Sequence, residues 1–348
     1  MRSGLCRILL SVAIAGAWSA ASAEPAQLRV LGNFTGNKKQ VDGVERPFFN
    51  RLAKTAGLKA KVTFSPMDLV NVKAPDALRI LRAGTFDVAS VQIGMASRDD
   101  PFFEGLDLAG VATDMASLRK AVDAYRGEFD KRLQAKFNAK VLTLWPFGPQ
   151  MLFCKKPVKG LEDFKGLKVR TFTPSMATLM QQLGATPVTL QFSEVYQALH
   201  SGVADCGVTG PSAANQGKWP EVVSYLVPLS VNGSVQGHFI NLNTWKQFSP
   251  QQQQKLSAAF KEMEDRMWRV ANEASEDAIS CSTGKEPCKE HARFKMTLNA
   301  ITPDEIARMK QAVSKSVLPE WRKICNAVDA SCAATWNATV GKAMGLSM

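Results

Sequence analysis

The sequence lacks the patterns that would mark a membrane protein, a metalloprotein or a hydrolase. No stretch after residue 23 reaches the ~20 apolar residues that a membrane-spanning helix needs. Its three histidines, His200, His238 and His291, are far apart, and no Cys-x-x-Cys pair is present, so no zinc site is indicated. Neither the Gly-x-Ser-x-Gly elbow nor the His-Glu-x-x-His motif occurs. These absences favour a protein that binds without catalysing a reaction.

A concentrated basic block is also missing, although the chain is basic overall. Its 348 residues include 43 Lys and Arg against 31 Asp and Glu, a formal charge of +12. The pairs Lys38-Lys39 and Lys155-Lys156 are isolated, and no nucleic-acid-binding module accompanies them. Nucleic-acid binding is therefore not expected. A mild positive field is consistent with attraction of small anions.

The first 23 residues have the features of a secretory signal peptide. Arg2 and Arg7 precede the apolar run 8–17, and the small residues Ala21-Ser22-Ala23 follow. We expect cleavage before Glu24, export to the periplasm and a mature chain with a charge of about +10.

Six cysteines remain after this cleavage, and an even number in an oxidising compartment favours disulfides. Cys281 and Cys288 are seven residues apart, as are Cys325 and Cys332, so a local bridge within each pair is the simplest prediction. Cys154 would then pair with Cys206. Crossed pairing between the two later pairs is the main alternative, and the sequence alone does not decide between them.

Strand-like and helix-like segments alternate through the first 250 residues, which predicts an α/β fold with largely parallel sheets. Two such series predict two lobes. Lobe I is expected to contain residues 24–145 and about 229–250, because two late strand-like runs can return the chain to it. Lobe II is expected to contain residues 146–228. The chain would then cross twice between the lobes, forming a hinge.

Residues 251–348 have a helical pattern. Ser249-Pro250-Gln251-Gln252 combines an N-cap, a proline at the first helical position and a capping-box glutamine. Apolar residues then recur at mostly helical spacing over roughly 30 residues, which predicts a helix ~45 Å long that braces both lobes. Thr302-Pro303-Asp304-Glu305 repeats the capping pattern and predicts another helix to about Leu318.

Residues 160–226 closely resemble the solute-binding proteins of TRAP transporters, the DctP family. The matching motifs are Gly-Leu-Lys-Val-Arg at 166–170, Leu-Gly-Ala-Thr-Pro-Val at 183–188 and Phe-Ser-Glu-Val-Tyr-Gln-Ala-Leu-His-Ser-Gly-Val-Ala-Asp at 192–205. The resemblance implies a two-lobed periplasmic binding protein, class II-like, with hinge strands. Such a protein closes over an organic anion and delivers it to the small and large permease subunits. No cofactor and no metal held by the protein are expected, whether a metal ion bridges the ligand stays open, and a monomer is the default for a delivery protein.

By this resemblance, the family's selectivity arginine corresponds to Arg170, which would grip a substrate carboxylate. A guanidinium suits that role because its planar fork can donate two parallel hydrogen bonds. The alternative is an internal ion pair with Asp205 or Glu194. Phe192 resembles the aromatic residue of the pocket floor, although a core position is nearly as well supported. Ser193 is predicted to cap the helix that follows it.

Two positions depart from the family pattern. Many relatives carry a second arginine where this chain has Gln150, and an asparagine where it has Thr209. A less charged pocket favours a monocarboxylate, with an aromatic, aliphatic or keto group, over a C4-dicarboxylate. The alternative is that a basic residue of lobe I restores a second contact. Further candidate ligand contacts, chosen by position alone, are Asn33, Phe34, Gln92 and Asn215. Other functions remain open at this point: a binding protein of an ATP-driven importer or a sensor, and, with less support, a periplasmic hydrolase.

Overall fold

A computed structural model describes residues 24–348, so the predicted signal peptide and its cleavage site lie outside the described residues. Strands and helices alternate along most of this part of the chain. The strands are β1 Gln27–Gly32, β2 Lys61–Pro66, β3 Val88–Gln92, β4 Ala139–Pro146, β5 Met151–Cys154, β6 Lys168–Thr171, β7 Thr186–Thr189, β8 Cys206–Thr209, β9 Tyr225–Val227, β10 Val235–Asn241 and β11 Thr297–Leu298.

Most longer helices begin at a residue suited to capping, such as Asp114, Thr173, Ser249 and Thr302. The helices are α1 Lys38–Gln40, α2 Arg46–Ala56, α3 Ala77–Arg82, α4 Ile93–Ala96, α5 Met115–Phe137, α6 Pro174–Gln182, α7 Phe192–Ser201, α8 Pro211–Gln216, α9 Leu242–Trp245, α10 Pro250–Thr283, α11 Pro303–Ala312, α12 Leu318–Val328, α13 Cys332–Trp336 and α14 Lys342–Met344. The prediction that Ser193 caps α7 is wrong. That helix begins one residue before Ser193, and Gln191 is its N-cap, with Glu194 accepting a hydrogen bond from the Gln191 amide.

The strands form two sheets, one in each lobe. The sheet of lobe I has the order β2-β1-β3-β10-β4, with β1 parallel to β2 and β3 while β10 runs antiparallel to both of its neighbours. The sheet of lobe II has the order β11-β9-β5-β8-β6-β7, in which β6 is parallel to β7 and β8. The two-lobed α/β class is as predicted.

The return of β10 to the first sheet makes lobe I discontinuous in sequence. The chain passes between the sheets at residues 147–150 and again at 228–234. These two crossings are hydrogen-bonded to each other, because the Gln150 amide donates to the Asn232 carbonyl and the Val231 amide to the Gln150 carbonyl, both at 2.8 Å. The lobe boundaries drawn from the sequence remain predictions. One segment outside them, β11, adds to the edge of the second sheet.

The long helix α10 contacts both lobes over its 34 residues. Near its middle, the indole N–H of Trp268 donates to the Leu144 carbonyl of β4 at 3.0 Å. Near its end, Ser282 Oγ accepts a hydrogen bond from Asn215 of α8 at 3.1 Å. The helix therefore braces the two lobes, as the periodicity predicted. No helix among residues 24–348 is both long and apolar enough to cross a membrane.

Three disulfides are present, joining Cys154 to Cys206, Cys281 to Cys288 and Cys325 to Cys332. The first joins the neighbouring antiparallel strands β5 and β8, whose registered partners include those two cysteines. The other two close local loops after α10 and α12. The crossed alternative is not observed.

Candidate functional site

Arg170 is the only arginine between residues 146 and 228, and its side chain is buried in lobe II, with a relative exposure of 2%. It lies on β6, between β8 and β7. Its Nε and Nη2 donate to the Leu190 carbonyl at 3.1 and 3.0 Å, and its Nη1 donates to the Val208 carbonyl at 2.8 Å. Backbone oxygens at the ends of two neighbouring strands thus fix the guanidinium in place.

No carboxylate among the described residues pairs with this guanidinium. Glu194 accepts from the Gln191 amide at 2.8 Å, and Asp205 accepts from the Lys168 amide at 2.8 Å, so both candidate internal partners are engaged elsewhere. Burial lowers the pKa of Arg170 to about 9, against a smaller opposing effect of Glu194. The group still carries its charge at neutral pH. An isolated buried cation of this kind is unfavourable until an anion reaches it.

Two donor positions of Arg170 are left over. A guanidinium has five N–H groups, and three of them are used by the two carbonyls, leaving one N–H on each terminal nitrogen. The Phe172 ring covers the guanidinium at 5.0 Å from its centroid. Two free donors on one rigid plane can hold both oxygens of a carboxylate.

Phe192 lies at the start of α7, and its ring is partly exposed, at 41%. It stacks on the indole of Trp219 with the centroids 5.6 Å apart, and Trp219 in turn meets Phe153 edge-on at 6.0 Å. Trp219 is buried at the centre of this row. Phe192 therefore offers a supported aromatic surface, and it is not an ordinary core residue.

Gln150 and Thr209 are both buried and lie beside each other at one end of the β5–β8 ladder. Thr209 is registered opposite Met151, the residue after Gln150. The Gln150 side chain donates to the Gly148 carbonyl at 2.9 Å, within the first crossing between the lobes. Both side chains are neutral, so this side of the site adds no second cation.

The three candidates of lobe I follow or end strands of its sheet, as predicted from position. The side chain of Asn33 donates to Ser90 Oγ at 3.1 Å and accepts from Asn37 at 3.0 Å. Gln92 donates to Ser234 Oγ at 3.0 Å, at the end of the second crossing. Phe34 is partly buried against the core. Asn33 and Gln92 thus have protein partners already, so their value as ligand contacts remains a prediction.

Asn215 lies in α8, and its side chain is bonded to the end of α10 and the loop after it. Its amide nitrogen donates to Ser282 Oγ at 3.1 Å and to the Ala292 carbonyl at 2.8 Å, and its oxygen accepts from the Ala292 amide at 3.0 Å. Both N–H groups and one acceptor position of the carboxamide thus fasten α8 to the end of α10 and the following loop. A ligand contact at Asn215 remains a prediction.

Asp277 and His291 form a hydrogen-bonded chain with Ser212, which the sequence did not suggest because the three are distant in it. Ser212 Oγ lies 2.8 Å from His291 Nε2, and His291 Nδ1 lies 2.7 Å from the Asp277 carboxylate. This order of contacts is found in serine hydrolases. Here, however, Ser212 is buried, and the same carboxylate accepts backbone N–H groups from residues 289–291. The chain of contacts holds residues 289–291, directly after Cys288, against α10 and α8.

Glu104 and Asp107 are two further buried carboxylates that sequence analysis did not single out. The signal for them was present, because both acids lie within the apolar run Pro101–Gly110, which reads PFFEGLDLAG. Asp107 accepts N–H groups of Gly233 and Val235 at 3.0 Å each, at the second crossing between the lobes. Burial raises the pKa of both carboxylates, that of Asp107 to about 7.

Comparison with known proteins identifies the relatives of this fold and site. The family model described as "Bacterial extracellular solute-binding protein, family 7" (DctP) matches residues 35–323. The C4-dicarboxylate-binding periplasmic protein DctP of Rhodobacter capsulatus is 30% identical over 181 residues, which are 51% of this chain and 54% of that protein. The sialic acid-binding periplasmic protein SiaP of Vibrio cholerae is 28% identical over 206 residues, 58% of this chain and 64% of that protein. The matches thus span between half and two thirds of these relatives.

A solved structure shares the fold over nearly its whole length. The Bordetella pertussis extracytoplasmic solute receptor DctP7, which binds pyroglutamic acid, superimposes with a TM-score of 0.75 at 19% identity, covering 90% of this chain and all of that one. At this identity the similarity establishes the fold.

Proposed function

The chain belongs to family 7 of the bacterial extracellular solute-binding proteins, the DctP family of TRAP transporters, and from this premise we propose that it captures a small organic acid between its two lobes. The family serves transport and is not a family of enzymes. The observation that carries the proposal is Arg170, a buried guanidinium without a carboxylate partner among the described residues.

The carboxylate of the acid would complete the hydrogen bonding of Arg170. A charge-assisted pair in a buried setting is stronger than one in water, since little solvent screens it. The cation is already desolvated and its orientation is fixed by two carbonyls, so the acid gains an interaction without having to order the side chain. A sugar or an amine lacks the charge that the site needs.

We further propose that the acid is a monocarboxylate. Gln150 and Thr209 are neutral where a dicarboxylate would need a second cationic group, and lobe II contains no other arginine within residues 146–228. The exposed ring of Phe192 favours an aromatic, aliphatic or keto-bearing group on the acid, because such a group can lie on it. Pyroglutamate, which the Bordetella receptor binds, is a monocarboxylate.

Delivery to a membrane permease in the periplasm completes the proposal. The signal-peptide pattern of residues 1–23 supports export, and the names of the relatives place them in the periplasm. Closure of the two lobes over the acid would be a shift of population toward a form that the acid prefers. The permease subunits would then receive the closed form.

A thermal-shift screen of the chain from residue 24 onward tests this function. The panel should contain pyroglutamate, pyruvate and benzoate as monocarboxylates, malonate and succinate as dicarboxylates, and neutral sugars and amines as controls. An acid at 100 times its dissociation constant stabilises the folded chain by about 2.7 kcal/mol, which is easily detected. We expect monocarboxylates to give the largest shifts. Stabilisation by only a sugar or an amine would rule out the organic-acid function, and larger shifts with dicarboxylates would rule out the narrower specificity.

A further inference from the structure

The lobes also meet away from the two crossings, at the first turn of α6. Glu104 belongs to a short 3-10 turn of lobe I, Pro101–Leu106, and its side chain is buried. Its Oε1 accepts the amide N–H of Ser175, in the first turn of α6 in lobe II, at 2.9 Å. This amide has no acceptor within its own helix, as is usual for a first-turn N–H. A carboxylate of one lobe thus caps a helix of the other.

Two more contacts join the same places. The Ala109 amide of lobe I donates to Ser175 Oγ at 3.1 Å. Gly94, in α4 of lobe I, lies so close to Thr173 that a Cβ built on the glycine would be 2.5 Å from Thr173 Cγ2. We call these three contacts, Glu104–Ser175, Ala109–Ser175 and Gly94–Thr173, the clasp.

The clasp is continuous with the segment that carries Arg170. Phe172, which covers the guanidinium, directly precedes Thr173. Thr173 is the N-cap of α6, with its Oγ1 accepting from the Met176 amide at 3.3 Å. Six consecutive residues, 170–175, therefore contain the cation, its aromatic neighbour and the lobe II side of the clasp. A shift of this segment relative to lobe I would move the cation as well.

Two opposing effects act on the charge of Glu104 in this contact. Burial raises the pKa of Glu104, while the Ser175 amide and the Ser175 and Thr173 hydroxyls lower it, and the Asp107 carboxylate is nearby. No basic side chain among the described residues pairs with it. The positive end of α6 and its amide favour the carboxylate, whereas removing it from water is unfavourable. Burial is the larger effect, so the contact stabilises closure less than its hydrogen bond alone would.

We propose that the clasp sets the equilibrium between open and closed lobes, so that Gly94, Thr173 and Glu104 are positioning residues for capture at Arg170 without touching the acid. Its link to capture rests on the function proposed above, but the closure equilibrium itself does not. Close approach at Gly94 permits closure, and the Glu104 carboxylate stabilises it.

The test is a steric wedge with a matched rescue, read by amide hydrogen exchange of Ser175 in the chain from residue 24 onward. Gly94→Ala places a methyl group against Thr173 Cγ2, so we expect protection of the Ser175 amide to fall several-fold. Adding Thr173→Ser removes that Cγ2 while keeping the capping oxygen, and the double variant should recover wild-type protection. Gly127→Ala, in α5 with no atom near its added Cβ, serves as the control.

Glu104 is tested in the same way. Glu104→Ala should lower protection of the Ser175 amide by about 10-fold or more, as expected for loss of a hydrogen bond to a charged group, and Glu104→Gln should lower it less. Small-angle X-ray scattering should show a larger radius of gyration for both Gly94→Ala and Glu104→Ala, with folding checked by circular dichroism.

Three results would each overturn the clasp. They are an unprotected Ser175 amide in the wild type, a Gly94→Ala variant that keeps full protection, and failure of Thr173→Ser to restore protection in that variant. No acid is present in these experiments, so their outcome does not depend on the result of the acid screen. Failure of the clasp and failure of the proposed function can therefore be told apart.

Discussion

Arg170 is held by main-chain oxygens, and these do not move or titrate as a side-chain partner could. Leu190 and Val208 lie at the ends of the strand segments on either side of β6, so the sheet itself orients the guanidinium. The site is therefore organised before the acid arrives, which reduces the entropy lost on binding. Replacement by lysine would keep the charge but lose this planar arrangement.

The buried carboxylate of Asp107 makes the free energy of unfolding depend on pH. Burial raises its pKa from 3.8 to about 7, the bonds from Gly233 and Val235 oppose that effect, and the Glu104 charge adds to it. Because the folded-state pKa lies above the unfolded value, the group binds more protons in the folded chain between these pH values. Its stabilising contribution is complete below about pH 4 and is lost as the pH rises through about 7.

Urea unfolding of the wild type and Asp107→Asn across this range measures the effect. Relative to the variant, the free energy of unfolding of the wild type should fall between pH 4 and 7 and then level off. Asp329 is a control whose effect on stability changes with pH in the opposite direction. Hydrogen bonds from Ser331, and then from Arg132, lower its pKa to about 2. Its contribution should be lost as the pH falls from about 4 to 2. A wild-type-to-Asp107→Asn difference that stays flat from pH 4 to 7 would contradict the buried-carboxylate assignment.

The surroundings of a residue were predictable from the sequence where they depend on local pattern. Arg170 stood in a strand without a nearby acid, and that isolation survives in the fold. The partners of Asn215, Ser282 and Ala292, were not predictable because they are 67 and 77 residues away. The burial of Glu104 had a local signal, but its partner Ser175, 71 residues distant, did not. Tertiary hydrogen bonds of this kind leave no periodic trace in a single sequence.

At the level of elements, the two ends of α10 are specified by residues at the ends themselves. Ser249 Oγ accepts from the Gln252 amide at 3.3 Å, and the Gln252 side chain accepts from the Ser249 amide at 3.0 Å, completing the capping box read from the sequence. The helix ends at Gly284, in the left-handed conformation that glycine adopts without strain. The start of α7 was misread because a glutamine caps it, and glutamine is not among the preferred N-cap residues.

The three disulfides should differ in their contribution to stability. Cys154–Cys206 closes a separation of 52 residues, whereas Cys325–Cys332 closes one of seven. Loop-closure entropy gives about 4 kcal/mol for the first and about 2 kcal/mol for the second. We therefore expect Cys154→Ala/Cys206→Ala to lose about 2 kcal/mol more than Cys325→Ala/Cys332→Ala in urea unfolding at pH 7. Equal losses of stability in the two double variants would contradict this dependence on loop length. They would indicate that pairing of β5 with β8 already restricts the unfolded chain without the disulfide.

Across the whole molecule, the two crossings, α10 and the clasp are separate connections between the lobes. The crossings pair with each other through Gln150, Val231 and Asn232, which keeps the two hinge segments in register. The long helix contacts β4 of lobe I and α8 of lobe II. The C-terminal helices connect them as well, since Glu305 of α11 accepts the Leu161 amide of lobe II and Trp321 of α12 donates to the Pro101 carbonyl of lobe I. We expect closure to be a bend about the crossings, with α10 as a support.

The central claim is that the buried guanidinium of Arg170 binds the carboxylate of a small acid. Calorimetric titration of the chain from residue 24 onward, with the acid that gives the largest thermal shift, tests it most directly. Arg170→Ala and Arg170→Lys are compared with Lys165→Ala, which removes an exposed charge of the same lobe. With folding verified by circular dichroism, Arg170→Ala should raise the dissociation constant by at least ~10-fold, Arg170→Lys should not restore it, and Lys165→Ala should leave it within about twofold. Undiminished binding by Arg170→Ala would remove Arg170 from the site and contradict the claim.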